Sequence, residues 1–93
     1  MQSYKHAVGQ SPATLDAAHR RSTDHRDELD RSEICGCFYC LATFVAGEIE
    51  EWIGGDDTTL CPSCSVDSVL GSASGYPAGD RQFLEAMHAR WFG

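Results

Sequence analysis

The fold class predicted from the sequence is a small α+β domain reinforced by its cysteines, and three observations predict it. The chain has 93 residues, a length at which one hydrophobic core buries too little surface to stand comfortably unaided. Four of its five cysteines form two Cys-x-x-Cys pairs, Cys37/Cys40 and Cys61/Cys64. Strand-forming residues around the first pair are followed by a helical apolar stripe that closes the chain.

Residues 1–33 read as a polar, partly helical amino-terminal extension, and residues 34–93 as the cysteine-bearing domain. The first ten residues are expected to be disordered. Ser11-Pro12 offers a helix start, and Ser22 a cap for a second helix. Ala13, Leu15, Ala17, Ala18 and Leu29 are too few and too small for a strong core face, so exposed helices are predicted.

From Ile34 to Val45 the composition predicts a short hairpin with its turn at the cysteines. Ile49, Trp52 and Ile53 fall on one face of a short helix that stops at Gly54. Thr58-Thr59-Leu60 reads as a strand. Cys61-Pro62-Ser63-Cys64 reads as the first turn of a further helix, with Pro62 at its first position, Val66, Val69 and Leu70 at helical spacing and Gly71 at its end. Residues 71–79 form a loop. The last helix runs from about Asp80 to Phe92, with Phe83, Leu84, Met87 and Trp91 as its inward face.

Two residues between cysteines let a tight turn aim both sulfurs at one ion, and two such half-sites complete a tetrahedron with no open position. The 20 residues between the pairs, Leu41 to Leu60, lie at the edge of the spacing of four-cysteine zinc sites. Cys37, Cys40, Cys61 and Cys64 are therefore the predicted ligands of a structural Zn2+ ion, which contributes about 10–16 kcal/mol in small zinc peptides. No apolar run of signal-peptide or membrane-spanning length is present, so a cytoplasmic protein with reduced thiols is expected. Iron is the competing metal and would make the chain an electron-transfer or thiol redox-sensing protein. Cys61-Pro62-Ser63-Cys64 looks like a rubredoxin knuckle, but such knuckles carry glycine after the second cysteine, where this chain has Leu41 and Ser65. Cys35 reads as a buried bystander, with replacement of Cys37 as a ligand, or a reactive thiol, as the alternatives. Gly36 beside it suggests a sharp backbone turn.

The net charge of −7 is unevenly spread: residues 1–33 carry five Lys/Arg against six Asp/Glu, and residues 34–93 two against eight. Phosphate backbones are bound through Lys and Arg, so the cysteine-bearing part is a poor nucleic-acid binder and a protein partner is expected. Trp52, Tyr76, Trp91 and Phe92 are the large residues to look for at a contact surface.

A hairpin knuckle followed by a cysteine pair in the first turn of a helix resembles the treble-clef zinc finger. Cys35-Gly36-Cys37-Phe38-Tyr39-Cys40, then Glu48 to Trp52, then Leu60-Cys61-Pro62-x-Cys64-x-x-Asp67-Ser68-Val69, and the ending Phe83-Leu84-x-x-Met87-x-x-x-Trp91-Phe92, look like a group of small bacterial proteins described only as cytoplasmic. The resemblance implies a treble-clef-like fold and the same four ligands, but no activity. The treble-clef frame also hosts HNH-type nucleases, which resemble a module of catalytic histidines braced by asparagine. This sequence contains no asparagine, and His88, the only histidine after the first cysteine, reads as a packing or surface residue, so an enzyme is not expected. His6, His19 and His25 are expected to be solvent-exposed, with Ser22, His25, Arg26 and Leu29 as a candidate contact face. Glu50, Glu51, Asp56 and Asp57 read as solvated carboxylates.

Overall fold

The computed structural model describes residues 11–93, so the expected disorder of the first ten lies outside the described residues. Helix α1 (Pro12–His19) starts as its sequence requires: Ser11 caps it, the hydroxyl accepting from the Thr14 amide at 3.2 Å, and Pro12 occupies the first turn. A short 3-10 turn, Arg20–Ser22, follows. Helix α2 is Arg26–Asp30, so the second helix begins four residues after the Ser22 expected to cap it. Ser22 is instead buried, and its hydroxyl closes the preceding turn by donating to the His19 carbonyl at 2.7 Å.

Strands β1 (Cys35–Cys37) and β2 (Thr43–Phe44) form the predicted hairpin around the first cysteine pair. Strand β5 (Val69–Gly71) pairs on the other edge of β1, with Cys37 opposite Val69, giving an antiparallel sheet of order β2-β1-β5. Strands β3 (Trp52–Ile53) and β4 (Thr58–Thr59) make a separate hairpin. Its turn runs through Gly54, Gly55 and Asp56, all at positive φ. Helix α3 (Arg81–Trp91) is capped by Asp80, whose carboxylate accepts from the Gln82 amide at 2.9 Å.

Two expected helices are absent. At 46–53 one 3-10 turn (Ala46–Glu48) gives way to extended chain: Ile49 and Trp52 pack inward while Ile53 stays exposed. At 61–71 the spacing of Val66, Val69 and Leu70 imitates a helix, but Ser65 stands at φ 67°, a left-handed conformation that a helix begun at Pro62 cannot continue through. Val69 and Leu70 then point to opposite sides of β5, one into each of two apolar clusters.

The sheet separates these clusters. On one side Leu70, Ala78 and Phe38 meet Phe83, Leu84 and Met87 of α3 and Leu15 and Ala18 of α1. On the other, Val69, Phe44 and Leu29 surround Cys35, Cys37 and Cys61. Leu15, Ala18 and Leu29 are thus core residues, against the expectation of exposed helices: small as they are, they are long enough to reach apolar surface that α3 and the sheet leave uncovered. Gly36 lies in a regular strand rather than a sharp turn. Its lack of a side chain is needed because the Ala78 carbonyl occupies the place a Cβ would take. Trp91, expected inside, is partly exposed at 38 % and lies against His19, ring centroids 4.0 Å apart, beside an Arg90–Asp16 salt bridge of 2.7 Å. No helix among the described residues is long and apolar enough to cross a membrane.

Candidate metal centre

Both cysteine pairs sit in the same backbone turn, matched bond for bond. In the first, the Cys37 amide donates to the Ala42 carbonyl at 2.9 Å and the Leu41 amide to the Cys37 carbonyl at 2.8 Å. In the second, the Cys61 amide donates to Val66 at 2.9 Å and the Ser65 amide to Cys61 at 2.8 Å. The Tyr39 and Ser63 amides donate to the sulfurs of Cys37 and Cys61, each at 3.3 Å. The Ala42 and Val66 amides lie near the Cys40 and Cys64 sulfurs and favour their thiolates. Such turns require a left-handed residue after the second cysteine, the place of glycine in rubredoxin knuckles. Leu41 (φ 69°) and Ser65 (φ 67°) adopt that conformation in spite of their side chains.

The turns face each other and bring all four sulfurs within 4.8 Å of one another. Cys37 lies 3.7 Å from Cys64, and Cys40 3.7 Å from Cys61. A tetrahedron of thiolates about 2.3 Å from a central zinc has edges of about 3.8 Å, so the four sulfurs fit such an ion. They are far too distant for disulfides, which need about 2.05 Å, and all the cysteines are free thiols. Cys37 and Cys61 are buried, Cys64 is half-buried and Cys40 is exposed at the rim.

The surroundings favour thiolates unevenly. At Cys40, Cys61 and Cys64 burial is the largest single influence, and it pushes the Cys40 and Cys64 thiols up. At Cys61 it is outweighed by hydrogen bonds, including the Ser63 amide, and the thiol is lowered. A divalent cation among the four would supply the charge that stabilises all of them as thiolates. The Ser68 hydroxyl lies 3.1 Å from the Cys37 sulfur, both buried, and is placed to donate to it. Sequence reasoning assigned Ser68 no role, and nothing in its immediate neighbours marks it: the contact exists only because β5 runs beside β1. Cys35 stands outside the group of four, fully buried, its thiol pushed up to about 11 by burial and then by Asp30.

The other candidates do not converge on this centre. Glu50, Glu51, Asp56 and Asp57 are exposed, as expected. His88 packs against the first turn, its Nδ1 donating to the Phe38 carbonyl at 3.1 Å. His25, expected in solvent, is 3 % exposed. Its Nδ1 donates to the Arg21 carbonyl at 2.8 Å and its Nε2 accepts from the Thr59 amide at 3.2 Å. The ring thereby ties α2 to the β3–β4 hairpin. The neighbouring His25 amide donates to the Asp57 carbonyl at 2.7 Å, and the Arg26 guanidinium lies 4.4 Å over the Trp52 ring. The expected contact face is therefore mostly an internal joint: Ser22, His25 and Leu29 are all buried.

Comparison with models of protein families, with curated proteins and with solved structures finds no match.

Proposed function

We propose that Cys37, Cys40, Cys61 and Cys64 hold one structural zinc ion and that the chain serves as a non-enzymatic protein-interaction module in a reducing, cytoplasmic environment. The observation that carries the metal reading is the pair of opposed turns with 3.7 Å sulfur separations. They offer four ligands and leave no open position for substrate or water, which favours a structural over a catalytic ion. For the interaction role, support comes from rings left at the surface beside the first turn. Tyr39 and Phe92 are 43 % and 45 % exposed and pack edge to face at 4.9 Å.

Metal analysis of the protein as purified tests the first part: one zinc per chain is expected, with Cys61→Ser losing both metal and cooperative unfolding. A soluble, metal-free Cys61→Ser variant with native circular dichroism would defeat it. For the second part, proteins crosslinked to the wild type should be lost from a Tyr39→Ala/Phe92→Ala variant of unchanged stability. Retention of the same partners by that variant would remove the surface from consideration.

Iron is the second reading, favoured by one observation. Leu41 and Ser65 take the backbone conformation whose glycine the sequence lacks, which removes the objection drawn from those residues. The metal analysis decides between the two.

A further inference from the structure

The four clustered cysteines lie close together but are not equally open to solvent. Cys40 is exposed, Cys64 is half-buried, and Cys37 and Cys61 are buried. Two sulfur contacts are 3.7 Å long, Cys40 to Cys61 and Cys37 to Cys64, and both cross from one turn to the other. The most open cysteine therefore has the sulfur of a buried one as its neighbour. The turn that carries Cys61 also places Pro62 and Ser63 in solvent, whereas Phe38 of the first turn is locked in the core. Cys35 is fully buried and outside the group.

Oxidation of cysteine follows thiolate character and access, so the exposed member of such a group is the one a peroxide meets first. An uncharged oxidant suits this surface, because residues 34–93 carry two Lys/Arg against eight Asp/Glu and repel anionic ones. The Cys40 thiolate attacks one oxygen of hydrogen peroxide with a sulfur electron pair, the O–O bond breaks and hydroxide leaves, giving a sulfenic acid. The Cys61 thiolate then attacks the Cys40 sulfur, the S–O bond breaks and a second hydroxide leaves, giving a disulfide. The two sulfurs have to close from 3.7 Å to about 2.05 Å, a movement left open by the second turn, whose middle residues the core does not hold.

We propose that Cys40 is an oxidation site for hydrogen peroxide and that Cys61 resolves it, so that a Cys40–Cys61 disulfide joins the two turns and dismantles the metal centre. The consequence for the metal rests on the zinc reading above: two thiolates are too few for a closed four-ligand site, and the ion is released. Thiol reductants reverse the change. Cys35, buried apart from the group, stays reduced.

The test treats the full chain as purified, its metal counted beforehand, with equimolar hydrogen peroxide. Remaining thiols are alkylated under denaturing conditions, disulfides are mapped by mass spectrometry, and released zinc is read with a chromogenic chelator. The expected first product joins Cys40 to Cys61, with about one zinc released per disulfide and Cys35 alkylated. Cys40→His offers a nitrogen ligand in place of the sulfur, as in sites of three cysteines and one histidine. It should keep zinc and fold, and lose the metal to peroxide at least about tenfold more slowly. A first disulfide within either turn or between Cys37 and Cys64, oxidation at Cys35, no disulfide at all, or a zinc-loaded Cys40→His as sensitive as the wild type would each overturn the proposal. The metal count keeps the two readings apart: a chain purified without zinc that still forms the Cys40–Cys61 link defeats the zinc reading and leaves the oxidation site standing.

Discussion

The two cysteine turns share their local hydrogen bonds but not their surroundings. In the first, the residues between the cysteines are Phe38, 1 % exposed in the core with α3, and Tyr39, which packs on Phe92. In the second they are Pro62 and Ser63, both in solvent. The first turn is therefore gripped by the fold, while the second is held mainly by the strands that enter and leave it. Local geometry at a metal centre says what the ligands can do; tertiary anchoring says which half yields first.

The strongest way to break the comparison is to substitute the matched positions. Phe38→Ala should cost about 3–5 kcal/mol, and Pro62→Ala, its counterpart, less than about 0.5 kcal/mol, measured by denaturant unfolding of the metal-loaded protein. Similar losses at both sites would mean that the turns are anchored alike. Next in size is Ser68→Ala, which removes the hydroxyl beside Cys37 and has no counterpart at Cys61. Its metal affinity should fall about 10–100-fold in competition with a chelator, and an unchanged affinity would make Ser68 merely a packing residue.

A pH dependence confined to the second half sharpens the contrast. Burial lowers the pKa of His25 from its usual 6.5, so the folded protein holds it neutral while the unfolded chain takes up a proton. The stabilisation is complete above about 6.5 and is lost as pH falls from there toward the lowered folded value. Nearby Glu28 and Asp24 oppose the shift and the Arg21 carbonyl holds the ring, while the Thr59 amide is the donor displaced when Nε2 gains a proton. Hydrogen-exchange protection of Thr59 should accordingly fall with pH while that of Cys37, in β1, holds. Parallel loss at both amides would indicate global unfolding instead. Relief of the left-handed backbone should let Ser65→Gly stabilise the protein by about 1 kcal/mol, and Leu41→Gly by less, because it also loses a side chain packed against the core.

Elements with local signals were readable in the sequence. The Ser11-Pro12 start, the β1–β2 hairpin, the Thr58-Thr59 strand and the terminal helix rest on caps, turns and periodicity within a few residues of one another. The four clustered cysteines were visible for the same reason, since their spacing states a local geometry. What the sequence hid depends on distant partners. Val66, Val69 and Leu70 fit a helix until β1 offers β5 an edge to pair with, and the sheet then divides Val69 from Leu70. His25 looks like a surface histidine because the amide that fixes it belongs to Thr59, 34 positions later. Leu15 and Ala18 look too slight to matter until α3 leaves a space of their size.

Gly36 limits how far the four-cysteine cluster can be transplanted. Its α-carbon rests against the Ala78 carbonyl, so the strand that carries Cys37 meets the chain leading into α3 without an intervening side chain. A graft of residues 34–71 into another scaffold would leave that bare backbone facing nothing of matching shape. The cysteine turns travel as a portable cassette only together with the 78–91 segment that covers them.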